Sequence, residues 1–385
     1  MLYICGMKKN VNTNPFLLNG YQSPELFCGR KEESAQLISN AVNGINTTLL
    51  SIRRMGKTGL LHHSLYQLQH KKKGLGIYVD IFDTENLRDF INRLASAILQ
   101  SIPEKHTFWK KAMVFLKQLR PVISYDELTG QPQVTLDYSQ AKQYEYTLQG
   151  ILSFLEKHNK LIVIGIDEFQ QITQYPEKNM EAILRTHIQK LKNVRFIFSG
   201  SSPHLLAEMF HHAKRPFFAS TQSIELKEIN KKEYQAFITQ QFAKHKRKID
   251  EQAIEFILEF TKQHTYYTQA ICNKLFTNGE KKIQLEHVQW AAHQLLLQNE
   301  TVYFQYRTML TPNQWAMLKA IAKEGNMYQP NAKNIAQKYQ LGPSSVIQRS
   351  IEALLSKEMI YSKVTENGKH YCVYDCFLAR WLEQK

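Results

Sequence analysis

Residues 161–168 read Leu-Ile-Val-Ile-Gly-Ile-Asp-Glu. Six residues with no polar side chain, followed at once by two adjacent carboxylates, leave few folds open. A half-solvated strand alternates apolar and polar residues; this run does not. It predicts a strand covered on both faces, as in a parallel sheet flanked by helices. Unpaired charge is costly to bury, so the carboxylates belong at the strand end, where open parallel sheets bind their ligands. Other apolar runs, Thr47 to Leu50, Gly76 to Phe82 and Val194 to Phe198, alternate with helical patterns at about 30–43, 57–69, 86–119, 139–157 and 179–191. The polar clusters after Leu50, Ile166 and Phe198 are therefore expected to converge on one crevice. Residues 121–138, with Pro121, Gly130 and Pro132, read as an inserted hairpin or loop.

The first of those clusters, residues 51–58, reads Ser-Ile-Arg-Arg-Met-Gly-Lys-Thr. Gly56, Lys57 and Thr58 fit the phosphate-loop pattern, and Ser51 stands where the pattern has its first glycine. The chemistry explains why these residues matter. Backbone N–H groups of 53–58, from Arg53, Arg54 and Met55 onward, would curl round a β-phosphate with the positive end of the next helix behind them. Gly56 allows close approach, Lys57 bridges β- and γ-phosphates, and the Thr58 hydroxyl takes a Mg²⁺ position. A Gly-Lys-Thr triplet alone would fit a basic surface turn; a strand before it and a helix after it make the nucleotide reading.

In the second cluster, Asp167 is expected to hold Mg²⁺ and Glu168 to orient and polarise the water attacking the γ-phosphate. The competing reading is an acidic turn capping the next helix. In the third, Phe198-Ser199-Gly200-Ser201-Ser202, a hydroxyl could sense the γ-phosphate or the water. Ser201 is the first candidate and Ser199 the second, against a Ser-rich turn and helix N-cap.

With these residues on the page, the chain resembles the archaeal-type P-loop ATPase family, in the STAND branch of the AAA+ class. Asn14-Pro15-Phe16 and Phe27-Cys28-Gly29-Arg30-Lys31-Glu32 look like the family's opening box. Arg53-Arg54-Met55-Gly56-Lys57-Thr58 resembles its phosphate loop, and Ile166-Asp167-Glu168-Phe169-Gln170 its extended Walker B segment. His264-Thr265-Tyr266-Tyr267 is similar to its lid motif, with Thr265 where the family has Pro. The ending, 374–382, is similar to its C-terminal winged helix. The resemblance implies an α/β P-loop NTPase with an AAA+-like parallel sheet and helices on both faces, followed by a helical lid and a winged-helix domain. It implies ATP and Mg²⁺ as ligands, hydrolysis to ADP and phosphate, and a nucleotide-driven conformational switch. Arg30 would lie near the nucleotide, and Arg53, Arg54, Met55, Gly56, Lys57, Thr58, Gly59 and Ser201 would line it.

Strand alternation is expected to stop near 225. Helical patterns follow at 231–243, 250–262, 265–276 and 286–298, and the last stretch reads as three helices and a hairpin. The expected domains are an ATPase core at 14–225, a helical lid at 226–302 and a winged helix at 303–385. The third helix of the last domain, about 343–357, would bury Ile347, Ile351, Leu354 and Leu355 and present Gln348 and Arg349 outward, with Lys363 and Lys369 on the wing. Residues 306–385 carry 11 Lys and Arg against 6 Asp and Glu, and the whole chain 49 against 34. Such a surface attracts polyanions without choosing among them. DNA and a protein partner are both open readings for this module, and oligomerisation is open too. Five irregularly spaced cysteines, Cys5, Cys28, Cys272, Cys372 and Cys376, argue against a disulfide framework and for a cytoplasmic protein. Cys372 and Cys376 read as core residues of a C-terminal strand, without the second pair a zinc site needs. No apolar run is long enough for a membrane span, so no membrane partner is expected.

Overall fold

A computed structural model describes residues 14–119, 121–138 and 141–385; Cys5 lies outside them. The chain divides into two compact units, one of residues 19–227 and one of 14–18 with 228–385.

The first unit is built on five parallel strands in the order Leu75–Asp80, Ile162–Asp167, Val194–Gly200, Thr47–Leu50, Gln222–Glu225. The strand Ile162–Asp167 is buried along its whole length, and its alternation explains the apolar run. Ile162, Ile164 and Ile166 enter the larger apolar layer, while Val163 enters the opposite one. The helices Leu87–Ser101, Ala141–Glu156 and Met180–Ile188 cover the first layer; Lys31–Val42 and Lys57–His70 cover the second. Each fully buried Ile or Leu contributes about 1.5–3 kcal/mol by leaving water, so the sheet is held from both sides.

Register brings the polar clusters to one edge. Asp80 pairs with Asp167, and Leu50 with Gly200. The inserted segment forms the hairpin Val122–Tyr125 and Pro132–Thr135, fixed to the Leu87–Ser101 helix by Val134 N–H donating to Ser96 Oγ at 2.8 Å. The strand Gln222–Glu225 escapes a reading by apolar runs because it is a short edge strand with one buried residue, Ile224.

The second unit carries the helices Lys231–Lys244, Glu251–Phe260, Thr265–Asn278 and Leu285–Met309, then Pro312–Glu324, Lys333–Lys338 and Ser344–Ser356. An antiparallel sheet follows, ordered Met327–Tyr328, Gly368–Val373, Ile360–Thr365. Three features depart from the sequence reading. Residues 14–18 join this unit: Asn14 Nδ2 donates to Asn273 O (3.0 Å), Asn273 Nδ2 to Phe16 O (2.7 Å), and Phe16 is buried among Phe237, Phe242 and Phe276. The expected boundary at 302/303 falls inside a continuous helix, because no Gly or Pro interrupts 285–309 and the first stop is the Thr311 cap with Pro312. Cys376 is not in a strand; it opens the helix Cys376–Glu383, whose N-cap Asp375 accepts from Leu378 N–H at 3.0 Å. Among the described residues the four cysteines are buried, and no helix is long and apolar enough to cross a membrane.

Candidate nucleotide site

The Thr47–Leu50 strand ends in the loop 51–56, and Gly56 starts the following helix with φ 90°, a left-handed conformation that side chains disfavour. Arg54 is left-handed as well, with φ 67°. The loop is braced from behind. Arg30, itself buried and left-handed, donates from Nη2 to Met55 O (3.2 Å) and from Nη1 to Lys227 O (2.5 Å) and Glu33 Oε1 (2.9 Å). Met55 is part of the apolar core. Arg53 and Arg54 are exposed, and Phe27 packs on Gly59 closely enough that an added Cβ would lie 3.3 Å from its ring. Ser51 is buried, its hydroxyl donating to Ile52 O at 3.0 Å.

Lys57 is buried, with Nζ donating to Ser51 O (3.2 Å) and Ile52 O (3.0 Å). Burial lowers its ammonium to about 8, against the raising influence of Asp167 and Glu168. The next residue closes the site: Thr58 Oγ1 donates to Asp167 Oδ2 at 2.6 Å, across 109 positions of sequence. Asp167 is 2 % exposed and also accepts from Tyr78 OH (3.3 Å) and from the Glu168 N–H (3.1 Å).

Glu168 adopts φ 55°, a left-handed turn that swings its side chain off the strand toward the neighbouring strand end. There Oε2 accepts from Ser201 Oγ (2.7 Å), Ser201 N–H (3.3 Å) and Gln170 Nε2 (2.5 Å). The Gln170 carboxamide lies against Gly200, where a Cβ would run into its oxygen. Ser199, the second hydroxyl candidate, is fully buried, and among the described residues its Oγ has no hydrogen-bond partner. The structure thus brings Lys57, Thr58, Asp167, Glu168 and Ser201 together, with Arg30 behind the loop.

Three contributors were not singled out from sequence. Asp80 ends its strand level with Asp167; desolvation raises its carboxyl above the ordinary range, the Phe82 N–H opposes this, and the Asp167 and Glu168 charges add to the rise. Tyr78 and Gln170 hold Asp167 and Glu168. The one signal for Asp80 in the sequence is that it follows an apolar run, as Asp167 does.

The outward face of the Ser344–Ser356 helix shows Gln348 and Arg349 exposed, with Gln348 Nε2 donating to Glu352 (2.9 Å) and Arg349 Nε to Ser345 O (3.2 Å). Ile347, Ile351 and Leu354 are buried, whereas Leu355 is half-buried. Lys369 is exposed on the wing, its ammonium 5.4 Å from the centre of the Tyr371 ring. Lys363 is ion-paired to Glu228 at 2.8 Å, so a phosphate there would compete with a carboxylate already in place.

Residues 301–384 match a family model described as a probable winged helix domain. Among curated protein sequences, none matches. Among solved structures, a Walker-type ATPase of Pyrococcus abyssi aligns at 20% identity and TM-score 0.66, covering 96% of this chain and 99% of that one. The ORC2 protein of Aeropyrum pernix, in its ADPNP–ADP complexes, aligns at 15% identity and TM-score 0.57, covering 97% and 98%. The fold is that of a P-loop ATPase with a C-terminal winged helix. A third structure, the ORC1 protein of the same organism in complex with DNA, aligns at 14% identity and TM-score 0.50, covering 96% of each chain.

Proposed function

We propose that this chain is a Mg²⁺-dependent ATP-binding protein that hydrolyses ATP to ADP and phosphate and uses the cycle as a conformational switch. The observation that carries it is the Thr58–Asp167 hydrogen bond of 2.6 Å. It supports a shared ligand for two segments that the sequence separates by more than a hundred residues. Two hard oxygen donors side by side, one a buried carboxylate, fit Mg²⁺, so Thr58 and Asp167 would hold that ion. Once bound, Mg²⁺ would supply charge neutralisation for the phosphates. The chain's own residues do the rest. The loop N–H groups and the Lys57 ammonium bind the phosphates; Arg30 fixes the loop through Met55 O; Glu168 orients the attacking water and accepts its proton, with Ser201 and Gln170 positioning the carboxylate. Placement in the STAND branch and a core, lid and winged-helix division of labour rest on motif order, and a cytoplasmic setting rests on the irregular cysteine spacing.

The test is equilibrium binding of labelled ATP with Mg²⁺ to wild type and Lys57→Ala. The variant is expected to bind at least about 100-fold more weakly; equal binding would end the proposal. Binding without turnover, unchanged in Glu168→Gln, would leave a nucleotide-binding scaffold for protein partners.

A second reading, an ATP-regulated DNA-binding protein of initiator-like architecture, is favoured by the exposed Gln348, Arg349 and Lys369 on a basic module. It predicts a salt-dependent gel shift that weakens when Arg349 and Lys369 are replaced. A change of oligomer size with ATP but without DNA affinity would favour protein contacts instead.

A further inference from the structure

The second unit contains a cavity of about 390 Å³, within the range of small-molecule sites. Its walls come from four stretches of chain: Glu228; Lys262 and His264; 324–326; and the wing and last helix, including Tyr361, Lys363, Cys372, Val373 and Ala379. None of the residues assigned to the phosphates or to Mg²⁺ lines it.

The polar inventory of the cavity is uneven. Both carboxylates are partnered: Glu228 by Lys363 at 2.8 Å, and Glu324 by Lys338 at 2.7 Å and the Tyr339 hydroxyl at 2.6 Å. Both thiols donate to oxygen, Cys372 to Asn326 Oδ1 (3.3 Å) and Cys376 to Phe260 O (3.4 Å). Burial keeps them protonated, raising Cys372 and pushing Cys376 up to about 12. Among the described residues, two groups are left over. Lys262 Nζ donates to Gly325 O at 3.2 Å and has no carboxylate partner. His264 is 96 % buried, given a relative exposure of 4 %, and its Nδ1 has no hydrogen-bond partner. Leaving a buried polar atom unpaired is costly, and each such atom calls for an explanation. Lys262 and Gln263 are consecutive left-handed residues, φ 51° and 59°, an unfavourable backbone for side chains with a Cβ. Lys262 and His264 both line the cavity.

We propose that this cavity binds a small organic acid. Its anionic head, a carboxylate or phosphate monoester, lies between the Lys262 ammonium and the His264 imidazole, and its apolar body lies against Tyr361, Val373 and Ala379. A cation does not suit the site: among the described residues no three His, Cys, Asp or Glu groups are arranged to hold a metal, and the thiols are neutral. Burial holds the His264 imidazole down to about 4, the Glu228 charge opposing it and the Lys363 and Lys262 charges adding to it. The ring is therefore neutral at pH 7, and with its proton on Nδ1 it donates without adding charge. One ammonium and one neutral donor match a carboxylate or phosphate monoester head better than a polyphosphate. Because the walls come from both the helices after 228 and the wing, a bound acid would stabilise their mutual packing.

The test uses the full chain carrying Lys57→Ala, so that the phosphate loop does not capture the probes. Benzoate, phenyl phosphate, inorganic phosphate and benzyl alcohol are titrated calorimetrically, then repeated with Lys262→Met and with His264→Gln added. One aryl acid is expected to saturate a single site, at least tenfold more tightly than benzyl alcohol or inorganic phosphate. Lys262→Met is expected to weaken the acid at least tenfold and leave the alcohol unchanged. Preference for benzoate or phenyl phosphate identifies the head group. The proposal is overturned if neither aryl acid saturates, if the alcohol or inorganic phosphate binds equally well, or if Lys262→Met changes nothing. Should His264→Gln not fold, the half-exposed Lys262→Met decides alone. The nucleotide reading can fail without touching this outcome, and the reverse holds too.

Discussion

The strand-end crevice of the first unit and the cavity of the second are both polar sites in apolar surroundings, but they are built in opposite ways. In the crevice, the two carboxylates at the strand end are satisfied by hydroxyl and amide donors from neighbouring segments: Asp167 by Thr58, Glu168 by Ser201 and Gln170. In the cavity, Lys262 and His264 arrive on a strained turn between helices and stay largely unmatched while the carboxylates pair with Lys363 and Lys338. A satisfied network fixes geometry before any ligand arrives, which suits chemistry. An unsatisfied pair is matched only when a ligand comes, which suits recognition.

The sharpest way to break this contrast is at Glu168. If the crevice is catalytic, Glu168→Gln lowers ATP turnover by about 10² to 10⁴-fold while ATP binding persists; a phosphate-release assay beside a binding titration separates the two. Phe16→Ala addresses the second unit. Removing a ring packed against three other phenylalanines is expected to cost about 3–5 kcal/mol, read as a lower midpoint in thermal unfolding. Hydrogen exchange would then rise first in the helices Lys231–Lys244 and Thr265–Asn278, not in the sheet. Exchange rising first in the sheet would contradict the division of the chain at 227/228.

Gly200→Ala tests the packing of the Glu168 tether. The new methyl meets the Gln170 carboxamide and Leu206, and a loss of about 1–3 kcal/mol in chemical denaturation is expected. An unchanged midpoint would show that Gln170 moves freely. The last test lies in pH. Lys57 holds its proton to about 8 in the folded protein, against an ordinary 10.5. Between those values the unfolded chain binds more protons, so stability gains with rising pH. The difference between wild type and Lys57→Met should therefore shift in favour of wild type from pH 8 to 10.5, and a flat difference would place Lys57 in water.

Legibility followed the same contrast. The run 161–166 announced a strand buried on both faces, and the structure sends its alternate residues into two apolar layers. Gly56-Lys57-Thr58 marked the loop because its chemistry needs contiguous residues. Asp80 and Gln170 were passed over because a lone Asp or Gln after a strand has many uses, and only register brings them beside Asp167 and Glu168. The strand Gln222–Glu225 was passed over because an edge position asks little apolar character of it. The helix Leu285–Met309 outran the expected boundary because nothing in its sequence stops it before Thr311 and Pro312.

By itself, then, the sequence determined the parallel sheet, the phosphate loop and the acidic strand end, since each depends on residues adjacent in the chain and on the alternation of one strand. The tertiary structure alone decided that Asn14–Leu18 pack with the second unit, that Lys363 is claimed by Glu228, and that Lys262 and His264 share a cavity with a wing a hundred residues later. The physical reason is that a buried group's partner is set by whichever distant segment removes its water, and local pattern carries no record of that segment.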